Sequence, residues 1–352
     1  MGDRPDQHRR AVLPLPEEPS TAVTALHPAD SEVELADGER IRYQRLLLAT
    51  GAAPRRLPIP GADLPGVYTL RNVDDADAIR SAVTGGGPVV VIGAGWIGAE
   101  VAASSRQLGA DVTMVDLVEV PLERVLGPEV GAVYRDLHRD HGVTLRLGVG
   151  IESINGTDRV EEVRLADGSV LPAAAVVVGV GVAPRVDLAA AAGLQIDNGV
   201  RTDAYLGTSA PQIYAAGDIA NAWHPFHETW IRLEHWSAAL NQGPVAAKNM
   251  LGVATPYDKM PYFFSDQYEL GMEYRGWAPT YEQVVFRGDP AGGEFIAFWL
   301  GDGVVRAAMN ANVWDQGDNL ERLLLARATP DPSVLADPDT DLAELAGAQP
   351  AG

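Results

Sequence analysis

Three glycines in six residues, Gly93-Ala94-Gly95-Trp96-Ile97-Gly98, directly follow the apolar run Val89-Val90-Val91-Ile92. That spacing lets a strand turn into a helix around the pyrophosphate of a dinucleotide. Gly93 makes the tight turn, Gly95 lets phosphate approach the backbone, and Gly98 lets helix and strand pack closely. The helix start adds oriented N–H groups and the positive end of its dipole. Asp116 ends the next strand, 23 residues after Gly93. A carboxylate there accepts ribose hydroxyls and repels a 2′-phosphate, and no arginine follows before Arg124. NADH is therefore expected over NADPH, although by type alone Asp116 is also an ordinary acidic strand end.

The surrounding pattern supplies the frame that such a turn needs. "PVVVIGAGWIGAEVAASSRQLGADVTMVD" reads as strand, glycine turn, amphipathic helix and second strand. A further helix over "GPEVGAVYRDLHRDHG" leads to a strand at "VTLRLG" and a hairpin at Asp167-Gly168. A buried strand follows at 175 to 180. The hairpin and buried strand have an earlier counterpart: Asp37-Gly38 turns a hairpin, then Leu46-Leu47-Leu48 ends at Thr50-Gly51. In the later copy a long α/β segment precedes the hairpin, and in the earlier one almost nothing does. From Gly93 to Asp167 is 74 residues, and counting back 74 from Asp37 leads ahead of Met1.

Composition narrows the chemistry. The net charge of −21 repels nucleic acid and anionic membranes. No apolar run approaches the ~18 residues of a membrane span, and the N-terminus has no apolar signal region. A cytoplasmic location is the default reading. With no cysteine, thiolate metal sites and any dithiol relay are ruled out. His138 and His141, and likewise His224 and His227, are three apart but have no ligand set at metal spacing. There is no G-x-S-x-G elbow and no P-loop, so hydrolase and NTPase readings lack support.

With the fingerprint placed, the chain resembles a flavoprotein pyridine-nucleotide reductase of the ferredoxin, rubredoxin and putidaredoxin reductase type. That type sits within the FAD-dependent pyridine nucleotide-disulfide oxidoreductase superfamily. The resemblance covers about residues 21 to 325. It rests on Ala49-Thr50-Gly51, "AAPRRLPIPG", the fingerprint, "GVGVAPR" at 179 to 185, "IYAAGDIAN" at 213 to 221, "EHW" at 234 to 236 and "FFSDQ" at 263 to 267. It implies an α/β fold with two Rossmann-like dinucleotide-binding domains, the first lacking its N-terminal βαβ, plus a small α+β C-terminal domain. The cofactors implied are FAD and NAD. The partners implied are NADH and a ferredoxin-type iron–sulfur protein, with no nucleic acid and no membrane, and a homodimer is left open.

By the same resemblance, Asp218 would hold the flavin ribityl chain, and Trp236 would close against the isoalloxazine. Arg55 would lie near the FAD phosphates, with Thr50, Gly51 and Gly181 lining the cofactor. Glu100, read as first-turn, would face the nicotinamide. By type alone, Asp218 also fits a helix N-cap, Trp236 a core residue, Arg55 a solvated loop residue and Glu100 a dipole-matched acid. The expected boundaries are a loose arm over 1–20, a remnant FAD-binding domain over 21–84 and 201–255, and an NAD-binding domain over 85–200. A C-terminal reductase-type domain over 256–328 and an acidic flexible tail over 329–352 complete the chain. The expected function is electron transfer from NADH through FAD to a ferredoxin-like acceptor. Lacking the FAD fingerprint, the chain as given is expected to bind NADH but to hold FAD weakly or not at all, and to turn over negligibly. A non-catalytic NAD-binding or assembly protein without flavin is the alternative, motivated by the absent FAD fingerprint.

Overall fold

A computed structural model describes residues 21–346. The glycine fingerprint sits in a five-stranded parallel sheet, in the order Val67–Thr69, Ala175–Val178, Val89–Ile92, Val112–Val115, Thr144–Arg146. Every residue of Val89–Ile92 and Ala175–Val178 is buried, because both sheet faces are covered. Helices Val73–Thr84 and Trp96–Gln107 pack on one face through Ile79, Val83, Ala99 and Ala102. On the other, Ile154, Val163 and Leu165 of an antiparallel three-stranded sheet pack against Val90, Ile92 and Val176.

This sheet moves two expected boundaries. Val67–Thr69 pairs in parallel with Ala175–Val178, so the unit that carries the glycine fingerprint begins near 67 rather than at the expected 85. Its connecting helix starts on a capping box, Asn72 with Asp75, which satisfies two N–H groups reciprocally. At the other end, Ala189, Leu194 and Val200 share a core with Leu26, Val33, Leu48 and Ile213. Residues from about 187 to 200 therefore belong with the first half. That half is a set of small sheets, in which Leu46–Leu48 pairs in parallel with Ile213–Ala215. Among the described residues this is a two-stranded sheet, and Leu46 and Leu47 are half-buried rather than enclosed on both faces.

The C-terminal unit is a five-stranded antiparallel sheet, ordered Tyr262–Gln267, Leu270–Gly276, Val304–Ala311, Glu294–Gly301, Gln283–Asp289. One face packs on helix Glu123–Asp140 through Leu126, Val130 and Tyr134, and Trp299 donates to the Leu126 carbonyl at 3.1 Å. The other face packs on helix Gly317–Leu325 and on two short helices beyond it. Those two helices correct the expected flexible tail. Leu335 of Pro332–Ala336 and Leu342 of Leu342–Leu345 are 0% and 2% exposed. Asp331 and Asp341 cap them by accepting the Ser333 and Ala343 N–H groups. The Arg287 guanidinium donates to the carbonyls of Asp337, Pro338 and Thr340. Two of the five acidic residues that suggested disorder are thus helix caps, and Asp337 accepts from the Asp339 N–H and the Thr340 hydroxyl. The expected arm over 1–20 and the final residues 347–352 lie outside the described residues.

Candidate functional site

Each fingerprint glycine has a distinct surrounding. Gly93 has φ +107°, and a Cβ there would lie 2.4 Å from the Gly179 carbonyl oxygen. A Cβ on Gly98 would lie 1.9 Å from the Gly93 carbonyl oxygen, so helix and turn touch backbone to backbone. Gly95 is exposed, and a Cβ there would meet nothing within 4 Å. The space in front of Gly95 is therefore open to a ligand. Gly95 also begins helix Trp96–Gln107, which has no side-chain cap and no acid in its first turn. Its first N–H groups are left for an anion. Helix Val73–Thr84 of the same unit, by contrast, is fully capped.

Asp116 stands beside this turn and has more to do than the sequence suggests. One carboxylate oxygen accepts the Ala94 N–H at 2.6 Å, and the other accepts the Leu117 N–H at 2.6 Å. Asp116 thus ties the glycine turn to the end of the neighbouring strand. The Val118 N–H also donates to it, at 3.3 Å, and a carboxylate offers about four lone-pair sites, so capacity for a further hydroxyl donor remains.

The second group of expected residues also draws together, around an arginine that sequence reasoning missed. Asp218 lies in the short 3₁₀ turn Gly217–Ile219, not at a helix N-cap, and pairs with Arg71 at 2.8 Å. Arg71 in turn crosses Gly51, where a Cβ would come within 3.0 Å of its guanidinium. The Thr50 hydroxyl donates to the Arg185 carbonyl at 2.9 Å. Arg55 is exposed and donates through Nε to the Val182 carbonyl, one residue past Gly181. Trp236 opens helix Trp236–Met250 and is 54% exposed, so it is not a core residue. His235 caps that helix by accepting the Ser237 N–H, and burial pulls its pKa down against the attraction of Asp218.

Strand Tyr262–Gln267 bridges the two groups. Phe263 packs edge-on against Trp96 of the glycine helix at 5.1 Å, and Phe264 against His235 at 5.1 Å. The Ser265 hydroxyl donates to Glu100 at 2.7 Å. Glu100 is the fifth residue of its helix, in the second turn rather than the first, and burial raises its pKa. The glycine helix and the helix that His235 caps thus both meet the aromatic strand Tyr262–Gln267.

The histidine pairs have other roles. The His224 and His227 rings lie 4.7 Å apart, and His224 bonds the Lys259 carbonyl. Among the described residues, no group of three or more His, Asp or Glu is placed to hold a metal ion. His138 is fully buried, and its loss of solvent lowers its pKa from 6.5 to about 4. Above pH 6.5 its neutral form is common to folded and unfolded chains. Below that, the unfolded chain takes up the proton first, so stability falls as pH drops towards about 4. This group adds up to about 1.4 kcal/mol per pH unit to that fall. Urea midpoints at pH 7 and pH 5 should differ less in His138→Phe than in the unmodified protein. An equal difference would refute this assignment.

Two family models match the sequence: Pyridine nucleotide-disulphide oxidoreductase over residues 18–243 and Reductase C-terminal over residues 262–346. The ferredoxin–NAD(+) reductase component of an anthranilate 1,2-dioxygenase system from Burkholderia cepacia is 39% identical over 326 residues. That match covers 92% of this chain and 80% of the relative. Putidaredoxin reductase from Pseudomonas putida is 36% identical over 334 residues, covering 93% and 79%. Among solved structures, the covalent putidaredoxin reductase–putidaredoxin complex superposes with a TM-score of 0.89 at 35% identity. The match covers 94% of this chain and 81% of the solved one.

Proposed function

The chain belongs to the pyridine nucleotide-disulphide oxidoreductase family, and from that premise we propose an FAD-dependent NADH oxidoreductase that passes electrons to a ferredoxin-type iron–sulfur protein. The observation that carries this reading is the strand Tyr262–Gln267, which touches both the glycine helix and the Asp218–His235 side. A donor nucleotide and a second cofactor would meet there. The relatives bear reductase names, which favours this reading over a flavin-free NAD-binding protein.

On the NADH side, the uncapped start of helix Trp96–Gln107 takes the pyrophosphate, and the open face of Gly95 admits it. Asp116 accepts the adenosine ribose hydroxyls, and Glu100 faces the nicotinamide. On the flavin side, the residues present fit the ribityl chain and ring of the group, although among the described residues no second glycine fingerprint stands ready for its pyrophosphate. The Arg71–Asp218 pair combines a cation with a carboxylate able to accept from ribityl hydroxyls, beside the glycine at 51. Exposed Arg55 serves the phosphates, Gly181 and Thr50 line the approach, and Trp236 offers its exposed face to the ring. Bound FAD supplies the conversion between a two-electron donor and one-electron acceptors. NADH gives up two electrons, so one NADH serves two iron–sulfur acceptors. With no cysteine in the chain, no dithiol intervenes. Among the described residues, no helix is long and apolar enough to cross a membrane, and a cytoplasmic setting fits an NADH donor.

The flavin side is tested by titrating the protein with FAD and following the flavin absorbance and fluorescence. Trp236→Ala should alter the bound flavin's spectrum and leave the circular dichroism unchanged, because more than half of this side chain is exposed. An unaltered flavin spectrum would place Trp236 away from the ring.

A further inference from the structure

Four buried or half-buried polar side chains run in line from Glu100 into the body of the protein. The Ser265 hydroxyl donates to Glu100 Oε1 at 2.7 Å. Gln267 Nε2 donates to Ser265 Oγ at 3.2 Å. His138 Nε2 lies 2.9 Å from Gln267 Oε1, and the Tyr268 hydroxyl lies 3.4 Å from His138 Nδ1. Ser265, Gln267 and His138 are 2%, 1% and 0% exposed.

The direction of the chain follows from its ends. Ser265 has one proton to donate, and a carboxylate is its strongest acceptor. Ser265 must then accept from the Gln267 amide, which turns the Gln267 oxygen towards His138. His138 therefore carries its proton on Nε2 and accepts from Tyr268 on Nδ1. Every bond points at Glu100. Protonation of His138 would reverse only the Tyr268 link, and burial keeps the ring neutral. The amide of Gln267 does not pass protons along, so the chain orients rather than conducts.

We propose that Ser265, Gln267 and His138 are positioning residues for Glu100, forming a one-way hydrogen-bond chain that keeps its carboxylate ionised and aimed at the nicotinamide site. The chain joins helix Trp96–Gln107 to helix Glu123–Asp140 and to the C-terminal sheet, so that sheet helps set the charge that the donor nucleotide meets. The inference rests on the proposed reading that Glu100 faces the nicotinamide. Burial raises the Glu100 pKa, the Ser265 bond lowers it and nearby Asp266 raises it. The buried Tyr134 phenol lies on the same side, its own pKa raised by burial and by Glu100 and Asp266. Around the far end stand His141, stacked on Tyr268 and paired with Glu269, and Arg106, whose charge acts on Tyr268.

NAD+ and NADH differ only at the nicotinamide, which is cationic in NAD+. The ratio of their dissociation constants against pH therefore isolates the charge facing that ring. In the unmodified protein, preference for NAD+ should weaken as pH falls through the Glu100 midpoint. Glu100→Gln should make the ratio independent of pH. Ser265→Ala and Gln267→Met each remove a link and should move the midpoint up, by about one pH unit for Ser265→Ala. His138→Phe should move it the same way by less. A ratio whose pH dependence survives Glu100→Gln would overturn the placement of the nicotinamide at Glu100. A ratio that loses it in Glu100→Gln, with an unmoved midpoint in both Ser265→Ala and Gln267→Met, would overturn the positioning chain alone. Lower melting temperatures with an unmoved midpoint count on that same side, as a merely structural role predicts.

Discussion

Gly95→Val should leave the protein folded and weaken NADH binding by about 100-fold or more. Gly95 has φ −78° and ψ −173°, an extended conformation open to any residue, and nothing lies within 4 Å of a Cβ built there. The valine side chain would therefore cost little in the apoprotein and would fill the space that the pyrophosphate needs. Gly98→Ala provides the contrast. Its Cβ would lie 1.9 Å from a backbone oxygen, so the turn itself must shift, and both stability and NADH affinity should fall. Thermal melts and NADH fluorescence titrations of the two variants separate the effects. If Gly95→Val bound NADH like the unmodified protein, the pyrophosphate would lie elsewhere.

Asp116 carries the second large effect. The unmodified protein should bind NADH more tightly than NADPH, because the carboxylate beside the ribose repels a 2′-phosphate. Asp116→Asn removes the charge and keeps an oxygen able to accept the Ala94 N–H, now bonded at 2.6 Å, but turns its amide nitrogen towards the Leu117 N–H. It should still fold, with a somewhat lower melting temperature, and narrow the preference by about tenfold or more, mainly through improved NADPH binding. Asp116→Ala also releases the Ala94 and Leu117 N–H groups, so NADH affinity should drop further as the turn loosens. NADPH bound as tightly as NADH by the unmodified protein would contradict the role given to Asp116.

What sequence reading reached, and what it missed, follows the range of the interactions. The fingerprint was legible because each glycine acts within six residues of the others. The Asp37-Gly38 and Asp167-Gly168 turns were legible for the same reason, and both glycines adopt the positive φ that such turns require. Arg71 was missed because its partner, Asp218, is 147 positions away and leaves no local signature. The chain from Glu100 to His138 joins three segments and was equally invisible. The glycines and proline at 85 to 88 suggested a domain start, but parallel pairing carried Val67–Thr69 across that break. In the C-terminal tail, the aspartates read as an acidic flexible stretch, whereas Asp331 and Asp341, two residues before Ser333 and Ala343, are helix caps. Leu335 and Leu342 were the apolar signal there.

NADH bound at the Gly93–Asp116 turn is expected to supply electrons through flavin to an iron–sulfur protein. The protein, supplied with FAD, is mixed anaerobically with NADH and a [2Fe–2S] ferredoxin, and the ferredoxin spectrum is followed. Ferredoxin should be reduced with NADH, far more slowly with NADPH, and not at all with Gly95→Val in place of the unmodified protein. A ferredoxin that stays oxidised, although the protein has bound both FAD and NADH, would contradict this electron path.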